Sequence, residues 1–149
     1  MYKKVKLASI ISTLILSATA YSAEMTVGFS QIGSESGWRA AETSVAKSEA
    51  QKRGIILKIA DAQQKQENQI KAIRSFIAQG VDAIFIAPVV QTGWEPVLQE
   101  AKEAEIPVFL LDRNITVKDD GLFMTGVAAD SVHEGEVAAQ WLIKQQDGK

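Results

Sequence analysis

The amino-acid sequence predicts an α/β fold, an open, doubly wound parallel sheet. Short β-rich runs alternate with longer helical patterns, and the alternation recurs at about thirty residues, the length of one βαβ step. The run Ala83-Ile84-Phe85-Ile86 is continuously apolar, as expected of a strand with helices over both faces of a parallel sheet.

Residues 26–30 form the first β-rich run, followed by a Gly/Ser loop and a helix expected from about 38 to 53. Trp38, Ala41 and Val45 fall at the spacing of a buried helical stripe, and Gly54 supplies the left-handed residue that ends a helix. A second strand is expected at 55–59. Ile70, Ile73 and Ile77 then place one apolar face on a second helix, which Gly80 closes. The third strand, 83–86, stops before Pro88, and a third helix turns Val97, Leu98 and Ala101 inward. Pro107 introduces a fourth strand at 108–111. A fifth is expected at 122–127, before a last helix at about 132–146.

Residues 1–23 differ from all of this. Lys3, Lys4 and Lys6 precede an apolar run at 7–16 and then small residues, the pattern of a secretory signal peptide. Cleavage is expected after Ala20, with Ala23 as the alternative, so the mature chain leaves the cytoplasm. Without the leader, 13 basic side chains stand against 18 acidic ones, a net charge of −5. Nucleic acid is repelled by that balance. No cysteine is present, which excludes disulfides and thiolate metal sites.

Parallel sheets of this kind bind ligands beyond the carboxyl ends of their strands. The loop after the first strand carries Glu35, Ser36, Gly37, Trp38 and Arg39 at a helix N-terminus, and Asp112-Arg113 follows the fourth strand at the same sheet edge. Carboxylate and guanidinium ends each grip neighbouring sugar hydroxyls in pairs, and an indole covers the C–H face of a ring. The structural alternatives are a packed indole, a capping serine, and solvated arginines beside a turn-forming aspartate.

Catalytic chemistries lack their constellations. The glycines do not form a dinucleotide fingerprint, and no phosphate loop is present. His133 is the only histidine, and no serine sits in a nucleophile elbow. Neither an enzyme, a metal nor a cofactor is expected.

Six stretches carry a resemblance: Val27-Gly28-Phe29-Ser30-Gln31, residues 33–42 with Ser-Glu-Ser-Gly-Trp-Arg, Lys65-Gln66-Glu67-Asn68-Gln69, Ala87-Pro88-Val89-Val90, Gly93-Trp94-Glu95-Pro96 and Leu110-Leu111-Asp112-Arg113. In these the chain resembles periplasmic sugar-binding proteins of the ribose-binding type, and within them the galactofuranose binders of ABC importers. The resemblance implies a periplasmic, monomeric receptor of two lobes, closing on a monosaccharide and delivering it to permease subunits in the inner membrane. It also places Glu35, Ser36, Gly37, Trp38, Arg39, Asp112 and Arg113 among the sugar contacts. Family members are about twice as long, so 24–128 is expected to be an incomplete first lobe, and 129–149 the crossover and first helix of the second. A lone lobe is expected to bind sugar at roughly millimolar rather than micromolar strength, and not to drive import.

Two rivals bear on function. A repressor with a similar sugar-binding core needs a DNA-binding helix-turn-helix where this chain has a signal peptide. Delivery to a chemoreceptor or sensor kinase instead of a permease stays open on sequence alone.

Overall fold

The computed structural model describes residues 24–146. The expected leader and its cleavage site lie outside the described residues. Five strands, β1 (Thr26–Gln31), β2 (Ile56–Asp61), β3 (Ala83–Ile86), β4 (Val108–Asp112) and β5 (Thr125–Ala128), pair in parallel in the order β2-β1-β3-β4-β5. The helices are α1 (Gly37–Arg53), α2 (Gln66–Ala78), α3 (Glu95–Glu103) and α4 (Ser131–Gln145). This is the α/β parallel sheet expected from the sequence.

Strand alternation sorts the side chains onto two faces. Ile84, Ile86, Val108 and Leu110 are buried under α2 and α3, against Ile73, Phe76, Val97 and Leu98. Trp94 seals this core, its indole N–H donating to the Val90 carbonyl at 2.9 Å. Gly28 faces the same way, and a Cβ there would lie 2.5 Å from the Phe76 ring, so α2 sits as close as it does because β1 has no side chain at that point.

The other face is covered less completely. Phe29 and Ile32 are buried there beside Ala46 of α1, whereas Phe85 and Leu111 are only half-buried. Phe85 stacks on Phe109 of β4 with ring centroids 5.0 Å apart. Among the described residues α1 is the helix over this face, so the continuous apolar character of β3 does not mean equal cover on both sides.

Two further expectations are corrected. Trp38, Ala41 and Val45 are exposed, while Arg39, Ala46 and Ala50 turn inward. The apolar stripe points sideways, across the β4–β5 half of the sheet, because periodicity reveals an apolar face without showing whether another element covers it. The fifth strand begins at Thr125 rather than at 122. Leu122 belongs instead to a 3-10 turn, Asp120–Leu122, whose cap Asp119 accepts from the Gly121 N–H at 2.9 Å. Beyond β5, α4 has no buried residue and exposes Val132, Val137, Trp141, Leu142 and Ile143.

Candidate functional site

The strand order places the carboxyl ends of β1, β3 and β4 side by side, with the chain reversing direction across the sheet between β1 and β3, where such sheets open a crevice. The loop after β1 turns into α1 through Ser36. That residue is extended at φ −132°, and its Oγ accepts from the Arg39 N–H at 3.2 Å, satisfying one orphan donor of the helix N-terminus. Gly37 opens the helix. Glu35 is exposed, its carboxylate folded against Gly33, where a Cβ would collide with it.

Capping aims two neighbouring side chains in opposite directions. Trp38 is 64% exposed, while Arg39 is 5% exposed. The Arg39 guanidinium donates through Nη2 to Asp112 Oδ2 at 2.7 Å and through Nη1 to Glu42 Oε2 at 3.1 Å. Glu42 Oε2 also accepts from Gln31 Nε2 at 2.8 Å, and Gln31 Oε1 in turn accepts from the Ile32 N–H at 2.8 Å. A continuous polar chain therefore runs from the β1 backbone through α1 to the end of β4. Burial by itself lowers the Arg39 pKa, but the hydrogen bond and charge of Asp112, and then those of Glu42, outweigh it and hold the pKa above the ordinary arginine value.

Asp112 closes β4 in the left-handed region, at φ +66°, while the Arg113 N–H donates back to the Leu111 carbonyl at 2.7 Å. That tight three-residue turn is uncommon for a residue with a Cβ and stores strain. Its effect is to put the Asp112 carboxylate on Arg39 and leave Arg113 exposed, with Arg113 Nε 3.6 Å from the same Asp112 oxygen.

Asp112 is the shared wall of two grooves. One, of about 520 Å³, is mostly apolar and lies between Trp38, Ala41, Glu42 and Val45 of α1 and Val127 beyond Leu111. The other, of about 730 Å³, is half polar and runs past Val89 and Gln91 to Arg113, Asn114 and Asp130. Ala128 and Ala129 border both. The structure thus brings Trp38, Arg39, Asp112 and Arg113 together. Trp38, Asp112 and Arg113 line the grooves directly, Arg39 is in neither lining, and Glu35, Ser36 and Gly37 stay on the loop that enters α1.

Several residues of this region went unrecognised in the sequence. Glu42 stands three positions after Arg39, a helical ion-pair spacing that was there to be read. Gln91, Asn114 and Asp130 become neighbours only through the topology. Gln69 lies in one of the stretches that carry the resemblance, but nothing in its spacing pointed to a role at the site. Fully buried on α2, its Nε2 donates to the Ala87 carbonyl at 2.7 Å and the Ser30 carbonyl at 3.3 Å, and its Oε1 accepts from the Val89 N–H at 2.9 Å. One side chain thereby ties the end of β1 to the loop that forms the groove's β3 wall.

Residues 27–149 match the family described as the periplasmic binding protein domain. The chain belongs to that family. It is 68% identical over 149 residues to the galactofuranose-binding protein YtfQ of Escherichia coli K12, covering 100% of this chain and 46% of that protein. The crystal structure of a galactofuranose binding protein superposes with a TM-score of 0.82 at 76% identity, over 84% of this chain and 42% of the other. The arabinose ABC transporter's periplasmic binding component from Shewanella sp. ANA-3, bound to α- and β-L-arabinofuranose, also superposes at 0.82, with 65% identity over 84% of this chain and 41% of that one. The chain spans less than half the length of these curated and structural relatives.

Proposed function

We propose that this chain is sugar-binding sequence of a periplasmic ABC importer component, taking a monosaccharide in its furanose form, with galactofuranose first among the candidates. The observation that carries this is the 2.7 Å Arg39–Asp112 pair, which joins the loop after β1 to the end of β4 at one wall beside an exposed indole. The names of the relatives supply the furanose class and the importer setting. In this role Asp112 accepts from ligand hydroxyls, Arg113 donates to others, and Trp38 covers the apolar side of the ring. Arg39 serves by pinning Asp112, and Ser36 by fixing the helix start, while Glu35 and Gly37 border the entrance. Paired charges suit a neutral ligand, because each carboxylate is balanced by a guanidinium when water leaves. The protein this sequence serves binds rather than transforms, works as a monomer in the periplasm after cleavage of its leader at Ala20, or alternatively Ala23, and hands its sugar to permease subunits.

A fluorescence titration with galactose, arabinose and ribose tests this. Trp94 is buried in the core and Trp141, on α4, lines neither groove, so Trp38 is the expected reporter. A saturable change with galactose or arabinose that disappears in Trp38→Phe and weakens at least about tenfold in Asp112→Ala is the expected result. Equal, unsaturable responses to all three sugars remove the proposal.

A further inference from the structure

We propose that Glu42 is a positioning residue for the sugar groove, acting through Arg39 on the Asp112 carboxylate; this rests on the sugar-binding reading given above. Asp112 lies at the end of a strand in a strained left-handed conformation, so its backbone does not by itself fix where its carboxylate points. The nearest strong restraint is Arg39 Nη2 at 2.7 Å. An arginine side chain has several rotatable bonds, and a single contact at one terminal nitrogen leaves the guanidinium plane free to turn. Glu42 removes that freedom by holding the other terminal nitrogen at 3.1 Å.

Glu42 is itself held. Its Oε2 receives Gln31 Nε2 at 2.8 Å, and Gln31, 2% exposed, is locked to the chain by the Ile32 N–H and is 3.3 Å from Thr43 Oγ1. The anchor of the whole relay is therefore main chain at the end of β1, and its output is a carboxylate at the end of β4. Charge supports the same assignment. With Arg39 between two carboxylates and Arg113 beside Asp112, the four groups sum to zero, and loss of Glu42 leaves an excess positive charge that draws Asp112 inward, away from the groove.

The test compares Glu42→Ala and Glu42→Gln with Arg39→Ala and Asp112→Ala in the full chain. D-galactose and L-arabinose are titrated to saturation, alongside nitrogen-15 spectra of the arginine side chains. In the parent protein the Arg39 Nη protons are expected to be resolved, because both nitrogens are held and rotation is slow. Glu42→Ala is expected to merge them and to weaken sugar binding about tenfold, and Glu42→Gln, which keeps one acceptor oxygen, to weaken it about threefold. Unchanged affinity in both Glu42 variants, with Arg39→Ala or Asp112→Ala weakened, overturns the positioning role and leaves the sugar site standing. Weaker binding with the Arg39 signals unchanged also overturns it, since Glu42 then acts by direct contact. Unchanged affinity in all four variants removes the sugar site and this inference with it. Should Glu42→Ala fail to fold, Glu42→Gln decides: merged signals with about threefold weaker binding support the role, and parent-like behaviour ends it.

Discussion

Arg39 at the start of α1 and Asp112 at the end of β4 are 73 positions apart in sequence and 2.7 Å apart in space. Their side chains are 6% and 22% exposed, so the pair is largely removed from water but not fully. In that setting the partners do more for each other than a surface ion pair does, and either one alone is a liability. Arg39→Ala leaves Asp112 and Glu42 facing each other without a cation and is expected to cost about 2 kcal/mol, read from urea unfolding.

Substitutions at Asp112 separate strain from charge. Asp112→Asn keeps a side chain that tolerates the left-handed region and loses the ion pair, at an expected cost of about 1 kcal/mol. Asp112→Val loses the pair and adds a β-branched side chain at positive φ, for about 3 kcal/mol. Asp112→Gly lies between them, since relief of strain offsets part of the lost pair. Denaturant midpoints in any other order would show that φ +66° is not a source of strain here.

Much of the fold was legible in the sequence, and the exceptions share a cause. Gly54 does end α1 in the left-handed region, and Val97, Leu98 and Ala101 are buried, because caps and helical stripes are local properties of the chain. Trp38, Ala41 and Val45 form an equally regular stripe and are exposed, because cover depends on a second element that local spacing does not describe. The site divides the same way. Asp112-Arg113 was legible from its position just past a strand, and Glu42 was open to reading from its helical spacing to Arg39, whereas Gln31 and Gln69 act through partners that only the folded topology brings near.

Gln69 offers a direct check on how the groove's β3 wall is held. Gln69→Leu keeps the volume but strips hydrogen bonds from the Ser30 and Ala87 carbonyls and the Val89 N–H, all at or near the sheet edge. The Ser30 carbonyl keeps the Ala87 N–H at 3.0 Å, so the Ala87 carbonyl and the Val89 N–H lose their partner, at an expected cost of about 3 kcal/mol. Amide hydrogen exchange is expected to speed up first at Val89 and its neighbours, while β2 keeps its protection. Uniform loss of protection across the sheet would instead mark Gln69 as an ordinary core residue.

The contact between α2 and α3 carries a pH dependence whose sign is fixed. Arg74 donates to both oxygens of Glu100, at 2.8 Å to Oε2 and 2.7 Å to Oε1. These hydrogen bonds first hold the Glu100 pKa below the ordinary glutamate value; burial opposes them, and the arginine charge adds to their effect. A carboxylate depressed on folding stabilises above its unfolded pKa, and the contribution disappears as pH falls through the folded one. The difference in Tm between the parent protein and Glu100→Gln is therefore expected to be present at about pH 6 and to disappear as pH falls below the ordinary glutamate range and through the depressed folded pKa. A difference that persists unchanged into acid would assign the effect to packing.

Gly28 tests how closely α2 must approach the sheet that presents the site. A methyl group at this position meets the Phe76 ring at 2.5 Å, well inside contact distance, on the face where Ser30 and Gln69 also meet. The neighbour is an aromatic ring locked in the main core, so it cannot swing aside as an exposed chain end does. Gly28→Ala is expected to cost about 2 kcal/mol through overpacking. The double variant Gly28→Ala with Phe76→Leu removes the clash and is expected to be more stable than the sum of the two single changes by about 1 kcal/mol, a coupling that a thermodynamic cycle measures directly. Additive single effects would mean that α2 shifts as a unit, and in that case the Gln69 bonds to Ala87 and Val89 lengthen and sugar affinity falls in the Gly28 variant as well.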